Sequence, residues 1–417
     1  MKIKKPLNIW ILKDGEALPT IKDSKKMRTW RLGETLADRG HSVTWWTSNF
    51  FHLKKEKICE GNKVLRLGDN LTVKFIDCGS YKTNVSFQRI KHHFKLGKKF
   101  SALAKKEKKP DIIIASHPIL EFPTEAIKYG KTHNIPVIID VRDIWPDTFL
   151  SYAPWFLRPF VKIPLFFYNL KTKYCLKNAQ GVVSISEDLL DWALKKAKLE
   201  RDHTNKVFHI GYDESAAAEE EPIIELKNLK KGTVIFSYLG TFVKSYEVDL
   251  IVEAAKILEK DKDFKGYFIL AGTGELWLSL KQKAKHLKNV IVLGWLDKKQ
   301  SSYLMNITDV SLIPNKTTAL PNKVFEALFF GNPMIFCMKG EAKTVLEKYK
   351  AGIYYEKGNI DSFIDGVKII TKNNTIETMK KNSRVLYDTH FKSQKIYSEY
   401  CEYIEKIHSN YHENNKN

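Results

Sequence analysis

The sequence predicts an α/β protein built from two doubly wound parallel sheets. Short apolar segments alternate with longer segments whose apolar residues recur at helical spacing, which is typical of strands joined by crossover helices. The alternation stops at a polar, acidic passage near the middle of the chain and then restarts. The length of 417 residues suits two domains, and the hydrophobic fraction of 43% is enough for two cores.

The first half opens with an apolar strand at 7–12 and a helix at 27–38. In the order of the chain, we predict further strands at 42–47, 73–77, 111–116, 136–141, 181–186 and 206–210, and helices at 87–108 and 121–133. Within the basic amphipathic helix at 87–108, the apolar residues Phe87, Ile90, Phe94 and Leu103 are spaced for one face. Ligands of such sheets bind beyond the carboxyl ends of strands, so we expect the loops at 13–18, 116–120 and 142–147 to line one cleft.

The passage at 212–231 is polar and acidic, and it is the best candidate for a linker. After it we predict strands at 234–239, 266–271, 290–293, 310–313 and 334–338, and helices at 248–258, 275–287, 298–305, 324–330, 344–348, 360–371 and 391–407. The predicted domains are 1–211 plus a returning segment at 388–417, and 212–387. The polar end at 409–417 is expected to fray.

The stretch IPNKTTALPNKVFEALFFGNPMIF, at 313–336, has a loop that leads directly into a helix. Asn322 is a plausible helix cap, and Lys323 and Glu326 lie in the first turn. A lysine at a helix N-terminus favours an anion such as phosphate, and a carboxylate one turn later can bind sugar hydroxyls. A plain loop–helix connection explains the stretch equally well. The Gly272-Thr273-Gly274 turn permits close backbone approach to a phosphate, but the dinucleotide fingerprint GxGxxG is not evident, which disfavours NAD.

In the first half, DVRDIWPD places Asp140, Arg142, Asp143 and Asp147 within eight residues at a strand end. These charges suit hydroxyl binding or a cationic transition state, whereas an Arg–Asp pair that ties down the loop is an equal alternative. His117 also lies at a strand end and could reach a ligand, although a lone histidine is more often structural. No Ser-His-Asp order, metal cluster or P-loop stands out, so catalysis by positioning and electrostatics fits best.

The formal net charge of +21 implies an anionic partner, which could be nucleic acid, a membrane surface or a phosphorylated ligand. From 148 to 186 there is no Asp or Glu, and aromatic residues are interleaved with Lys and Arg. This pattern suits a membrane interface, or a solvated basic face above an aromatic core. Five cysteines without a Cys-x-x-Cys pair fit a reducing compartment. We expect neither a signal peptide nor a membrane-spanning segment.

Several segments in order and spacing resemble a known family. They are GEALP, RGHSVTWWTS and DVRDIWPD in the first half, and SYLGTF, FILAGTGE, NVIVLGWL and LPNKVFEALFFGNPMI in the second. Together they resemble retaining glycosyltransferases of family 4, which have the GT-B fold. The resemblance is to the bacterial enzymes of O-antigen, capsule and exopolysaccharide synthesis, and it covers almost the whole chain.

This resemblance implies roles for particular residues, with the nucleotide sugar held mainly by the second domain. Catalytic roles fall to Asp143, Arg142, Lys323 and Lys244, of which the two lysines face the donor diphosphate. The implied donor-binding residues are Gly15, Gly272, Gly274, Trp295, Thr318, Pro321, Asn322 and Glu326. Arg28 and His117 would lie on the acceptor side. The chain departs from the family at Thr318, where a glutamate is frequent, so the choice of donor sugar is the least predictable feature.

The implied activity is transfer of a hexosyl or N-acetylhexosaminyl group from a UDP-linked sugar to a lipid-linked saccharide. The resemblance further implies no metal cofactor, a cytoplasmic location on the inner face of the cell membrane, contact with anionic lipid, and no nucleic acid. A UDP-sugar 2-epimerase of the same fold is an alternative. A basic nucleic-acid-binding protein is another, although no helix-turn-helix, zinc or RNA-binding signature supports it.

Overall fold

The computed structural model describes residues 5–18, 26–84, 86–149, 155–212, 219–315, 320–372 and 374–414. The chain divides into two compact units, Met1–His209 with Lys395–Asn417, and Ile210–Gln394. The boundaries differ from the predicted ones chiefly at 388–394, which belongs to the second unit because Tyr387 and Phe391 are buried in a core of that unit. Thr318 lies outside the described residues.

The main sheet of the first unit has the order β10-β9-β8-β7-β1-β2-β6-β5 in the described chain. The described strands of this unit are β1 (Asn8–Leu12), β2 (Ser42–Ser48), β3 (Phe50–Phe51), β4 (Glu56–Lys57), β5 (Lys63–Arg66), β6 (Leu71–Ile76), β7 (Ile112–His117), β8 (Val137–Val141), β9 (Gly181–Ser184) and β10 (Asn205–Val207). Of these, β3 and β4 form a separate small hairpin. All neighbours in the sheet are parallel except β5 and β6. The direction of winding reverses between β7 and β1, which is where ligands of such sheets bind.

Helices cover this sheet, and local capping sets several of their ends. They are α1 (Arg28–Asp38), α2 (Phe87–Ala104), α3 (Glu121–His133), α4 (Arg158–Lys177) and α5 (Glu187–Ala197). Ser86 caps α2 by accepting a hydrogen bond from the Arg89 N–H, and Ser186 caps α5 in the same way. In α2, His92, Leu96 and Phe100 are buried, whereas Phe87, Ile90 and Phe94 of the predicted apolar face are exposed and Leu103 is partly buried.

The second unit contains a six-stranded sheet with the order β13-β12-β11-β14-β15-β16, in which all neighbours are parallel. Its strands are β11 (Val234–Leu239), β12 (Gly266–Ala271), β13 (Val290–Val292), β14 (Val310–Ile313), β15 (Met334–Phe336) and β16 (Gly352–Tyr354). Its helices are α6 (Val248–Leu258), α7 (Trp277–Ala284), α8 (Lys298–Ile307), α9 (Asn322–Phe329), α10 (Glu341–Lys348), α11 (Ile360–Ile370) and α12 (Thr375–Leu386). The winding reverses between β11 and β14. The prediction of two doubly wound parallel sheets is therefore confirmed.

The last helix, α13 (Ser393–Asn414), contributes to the core of the first unit. The ring of Tyr400 stacks on Phe208 with centroids 4.4 Å apart, and Tyr403 Oη donates a hydrogen bond to the Thr204 carbonyl. The helix extends seven residues beyond the predicted end at 407. Tyr411, in the segment that we expected to fray, donates a hydrogen bond to Asn134 Oδ1 at 2.8 Å, which anchors the last turns.

Candidate functional site

In the second unit, two loops meet where β11 and β12 end. The Gly240 N–H donates to the Ala271 carbonyl, and the Phe242 N–H donates to the Thr273 carbonyl, both at 2.9 Å. Gly272 and Gly274 have φ angles of 140° and 153°. A Cβ on Gly272 would lie 1.8 Å from the Gly240 carbonyl oxygen. The predicted glycine turn is present, and close packing of the two loops requires it.

Lys323, in the first turn of α9, extends to the end of β11. Its ammonium donates a hydrogen bond to Tyr238 Oη at 3.2 Å and lies 4.2 Å from the centroid of that ring. The Tyr246 ring is 5.3 Å away, and a Cβ on Gly240 would lie 1.8 Å from Nζ. Within the described residues, no carboxylate lies within 4.0 Å of this ammonium. Burial lowers the pKa of Lys323 to about 8, and the charge of Glu326 offsets part of that effect.

The start of α9 leaves its backbone donors without a side-chain cap. Asn322, which the sequence suggests as the cap, is the first residue of the helix, and Pro321 occupies the capping position. Proline has no side-chain acceptor, and Asn322 is exposed. An anion at this position would therefore face the first N–H groups of α9, of which that of Val324 already donates to the Pro321 carbonyl, and the positive end of the helix dipole.

Three further residues of the predicted site, Glu326, Lys244 and Trp295, belong to the same unit. Glu326 accepts a hydrogen bond from Tyr212 Oη at 3.4 Å. Lys244 is exposed, and its backbone N–H donates to Glu275 Oε1, next to the glycine turn. Trp295 follows β13 with 73% of its surface exposed, and the preceding Gly294 carbonyl accepts a hydrogen bond from the Gly272 N–H. Hydrogen bonds thus link the backbones near Lys244 and Trp295 to the glycine turn.

In the first unit, a buried ion-pair network joins the ends of β1 and β8 to the start of α1. Both Asp140 carboxylate oxygens accept hydrogen bonds from Arg28 at 3.1 Å, and Oδ2 also accepts from Arg142 Nε at 2.9 Å. Arg142 also donates to Glu16 at 2.7 Å and to Thr29 Oγ1 at 3.0 Å. Burial raises the pKa of Asp140, but the two guanidinium groups outweigh it and hold that pKa below its usual value.

This network changes the interpretation of the charged cluster at 140–147. Arg28 is 3% exposed, and it also donates to the Phe208 carbonyl and lies over the Tyr400 ring. Asp147 is paired with Lys196 at 2.7 Å. The geometry favours structural roles for Arg28 and Asp147. It also favours the alternative in which Arg142 ties down the loop, rather than the acceptor contact or catalytic role that we predicted from the sequence.

Asp143 and His117 lie at the ends of β8 and β7. Asp143 is partly exposed, and its Oδ1 accepts hydrogen bonds from the Ile144 N–H and Thr148 Oγ1. His117 is 1% exposed, and neither ring nitrogen has a hydrogen bond of good geometry to the described protein atoms. Burial lowers the pKa of His117 to about 4, and the nearby Asp143 backbone offsets only part of this effect. The imidazole is therefore neutral near pH 7.

Gly15 follows β1 with a φ of 74°, so the loop there makes a turn that favours glycine. Its neighbour Lys13 was not predicted from the sequence. The Lys13 ammonium donates to the Asp14 carbonyl at 2.8 Å, and burial together with the charge of Arg142 lowers its pKa. The winding of the sheet reverses between β1 and β7. Lys13 directly follows β1, and His117 is the last residue of β7.

Sequence reasoning also missed Tyr238, which supports Lys323, and Glu16, which holds Arg142. Both lie inside segments on which the family resemblance rests, since Tyr238 belongs to SYLGTF and Glu16 to GEALP. A lysine and an aromatic residue 85 positions apart show no relation until the fold brings them together. Within the described residues, no group of three His, Cys, Asp or Glu side chains is placed to hold a metal ion.

The two parallel-sheet units have the GT-B fold that glycosyltransferases share, and two glycosyltransferase family models match the chain. Glycosyltransferase Family 4 matches residues 27–214, and Glycosyl transferases group 1 matches residues 219–385. Each half of the chain thus matches a glycosyltransferase domain model, and these matches support the prediction that the protein is a transferase. These matches do not test the narrower resemblance to the O-antigen and capsule enzymes.

Solved structures share the fold over nearly the whole chain. Sucrose-phosphate synthase from Thermosynechococcus elongatus has a TM-score of 0.71 at 14% identity, covering 96% of this chain and 99% of that one. Anabaena HepE in complex with UDP has a TM-score of 0.64 at 13% identity, covering 96% and 100%. At these identities the likeness concerns the fold alone.

Two curated proteins are similar in sequence over part of the chain. An Escherichia coli UDP-Gal:α-D-GlcNAc-diphosphoundecaprenol α-1,3-galactosyltransferase is 27% identical over 165 residues, which is 38% of this chain and 42% of that protein. An uncharacterized glycosyltransferase from Haemophilus influenzae is 24% identical over 183 residues, which is 42% of this chain and 48% of that protein. The matched stretch thus spans less than half the length of either relative.

Proposed function

We propose that the protein transfers a hexosyl or N-acetylhexosaminyl group, with retention of configuration, from a UDP-linked sugar to a lipid-linked saccharide. The product would be an intermediate in the synthesis of a cell-surface polysaccharide such as O-antigen or capsule. The name of the E. coli relative, which includes a UDP sugar and a diphosphoundecaprenol acceptor, supports this choice of substrates. The UDP complex of Anabaena HepE, which has the same fold, supports the choice of nucleotide.

The observation that carries the proposal is the environment of Lys323. A buried ammonium without a nearby described carboxylate is costly in the free protein, and a bound anion would offset that cost. The uncapped start of α9 and the glycine turn provide backbone N–H groups beside it. This arrangement suits a diphosphate, with Pro321 and Asn322 beside its sugar. The base would lie at Trp295 and the ribose at Glu326.

In this proposal, catalysis depends on stabilising the leaving diphosphate. As the bond to the anomeric carbon breaks, charge develops on UDP, and Lys323, Lys244 and the start of α9 face that charge. The sugar passes through an oxocarbenium-like state. Asp143 and the neutral His117 would lie on the acceptor side, with Arg142 holding the loop that carries Asp143 and Gly15 allowing close approach. We propose that no metal ion is needed, which assays with EDTA and with added Mg²⁺ would test.

The lipid-linked acceptor places the reaction at the cytoplasmic face of the membrane, so we propose a peripheral enzyme there. The donor can be tested first, by thermal unfolding with a panel of nucleotides and nucleotide sugars. A ligand at about 100 times its Kd stabilises the folded state by about 2.7 kcal/mol. We expect UDP and one UDP sugar to raise Tm, and GDP and ADP sugars not to. Conversion of UDP-N-acetylglucosamine without an acceptor would instead indicate the epimerase.

The first mutational prediction concerns Lys323. Lys323→Ala should lower kcat/KM by about 10²–10³-fold, because it removes a cation aimed at charge that develops in the transition state. Lys283→Ala is the matched control, since Lys283 belongs to the same unit but pairs with Asp249 on the surface. Transfer of radiolabelled sugar to the lipid acceptor measures both. Unchanged turnover in Lys323→Ala would refute the diphosphate assignment.

A further inference from the structure

Helix α4 exposes an apolar stripe instead of burying it. The stripe follows helical spacing of three and four residues, and its members are Phe160, Ile163, Phe167, Leu170 and Tyr174. Phe160, for example, has 73% of its surface exposed. The preceding turn adds exposed rings at Trp155 and Phe156. An apolar stripe at this spacing normally faces a core, so its exposure indicates a surface that is covered by something else.

Helix α2 continues the same surface. Phe87, Ile90 and Phe94 are exposed at helical spacing, and Phe87 has 91% of its surface exposed. Both α2 and α4 pack against α3, and the stripes meet at a groove. The residues that line this groove include Phe87, Ile90, Phe94, Phe167, Tyr168 and the start of α3 at Glu121. We call this surface, which comprises the exposed apolar residues of α2, α4 and 155–156, the aromatic face.

The charges around the aromatic face have one sign. Lys91 and Lys98 flank Phe94 along α2, and Lys162 and Lys171 flank the stripe of α4. No acidic residue occurs from 148 to 186. Glu121, the one described acid lining the groove, is 8% exposed, and burial raises its pKa, which disfavours a negative charge there. Lysine side chains beside apolar rings can extend to phosphate groups while the rings enter an apolar phase.

The aromatic face also lies close to the end of the sheet that carries the candidate acceptor residues. In a parallel sheet, the helix that follows a strand begins near the carboxyl end of that strand. Phe87 begins the helix after β6, and Trp155 lies in the connection from β8 to α4. The Arg89 guanidinium lies 5.1 Å from the Trp145 ring, which joins the start of α2 to the loop after β8. That loop also carries Asp143.

We propose that the aromatic face inserts into the interfacial region of a bilayer containing anionic phospholipid. Rings and aliphatic side chains enter the acyl boundary to a depth of about 5–10 Å, while the lysines contact lipid phosphates. No helix within the described residues is long and apolar enough to cross a membrane, which fits an interfacial mode. A second copy of this chain is the less favoured occupant, because the surrounding lysines of two facing copies would repel each other.

The proposal deepens the proposed function, on whose membrane location it rests, by naming the surface that would bind the bilayer. It also differs from binding by charge alone. Electrostatic binding fades when the Debye length falls from about 10 Å at 0.1 M salt to about 3 Å at 1 M. Burial of apolar side chains does not fade in this way. We therefore expect binding to vesicles of phosphatidylcholine with phosphatidylglycerol to weaken as salt rises, but to persist at the higher salt concentration.

Vesicle co-sedimentation of the full chain, without donor or acceptor, tests the proposal. The triple variant Phe87→Ser, Phe160→Ser, Phe167→Ser should lower the partition coefficient by about tenfold for each ring lost, at both salt concentrations. The matched control is Ile224→Ser, Leu278→Ser, Ile369→Ser, which removes exposed apolar residues of the second unit. The control should bind vesicles as the wild type does. Unchanged far-UV circular dichroism and an unchanged Tm without ligand would show that both variants keep their fold.

Three outcomes would overturn the proposal. The triple variant could bind as tightly as the wild type, or the control could lose as much binding. The wild type could also ignore vesicles and run as a dimer that the triple variant dissociates, which would make the aromatic face a protein interface. A failure of this kind is separate from a failure of the proposed function, since transfer to a water-soluble acceptor analogue would still occur.

Discussion

At the scale of single residues, the proposed function makes Lys323 a link between protonation of the protein and donor binding. In that proposal the diphosphate binds the ammonium form, whose pKa in the free protein is about 8. Affinity for UDP should therefore be constant below this pH and fall as the pH rises through it, approaching tenfold per pH unit. Calorimetric titration of UDP between pH 6 and pH 10 measures this profile. In Lys323→Arg, whose guanidinium stays charged, the inflection near pH 8 should disappear.

The same lysine should reduce the stability of the free protein. Its pKa is lower in the folded state than the usual 10.5, so the charged form is disfavoured by folding. This cost is fully present below pH 8 and vanishes as the pH rises towards 10.5. Lys323→Met should therefore raise the free energy of unfolding at pH 7 by about 1–3 kcal/mol, with a higher Tm and no UDP-induced shift. A lower Tm in this variant would show that the contacts of Lys323 with Tyr238, Tyr246 and Glu326 outweigh the cost of burying its charge.

Gly272 offers a test of the contact between the two loops. Alanine there would bring Cβ within 1.8 Å of the Gly240 carbonyl oxygen and would adopt a φ of 140°. Gly272→Ala should lower the free energy of unfolding by about 1–3 kcal/mol and weaken UDP binding. Gly294→Ala is the control, since its Cβ would meet no atom within 4 Å. Chemical denaturation of both variants, followed by UDP titration, decides whether the close approach matters.

At the scale of structural elements, the Arg28–Asp140 pair ties α1 to β8 and to the Phe208 carbonyl. Arg28→Met leaves the buried Asp140 with one guanidinium, so we expect a loss of about 3 kcal/mol of unfolding free energy. Because the pKa of Asp140 is lowered on folding, its contribution is present above pH 4 and is lost as the pH falls further. A variant with unchanged stability but a raised KM for the acceptor would restore the acceptor-side role.

The elements also show where sequence reasoning succeeds and fails. Strands and helices follow from apolar spacing, which is why the two parallel sheets were predictable. Spacing does not reveal what covers a face. Phe87, Ile90 and Phe94 share the predicted apolar face but are exposed, whereas His92, Leu96 and Phe100 of the same helix are buried. Likewise, the segment DVRDIWPD shows that charged residues cluster at a strand end, but it does not show which residues they pair with. The partner of Arg142, Glu16, is 126 positions away.

At the scale of the whole molecule, the chain builds two sheets with similar winding, and each has its candidate residues where that winding reverses. Lys323 and the glycine turn lie at this point in the second unit, and Lys13 and His117 lie there in the first. These positions depend on strand order, which the pattern of apolar residues does not specify. The family resemblance selected residues near both points, whereas their contacts became visible only in the folded chain.

The last helix gives a prediction about the two units. Residues 395–414 belong to the first unit, where Tyr397, Tyr400 and Ile404 are buried in its core. Ending the chain after Gln394 would remove these side chains from that core, and each buried aromatic residue lost costs about 3–5 kcal/mol. The first unit should then unfold, while the second unit keeps all its residues and its UDP-induced rise in Tm. Hydrogen exchange with and without UDP would show protection confined to 210–394, and loss of UDP binding would contradict an independent second unit.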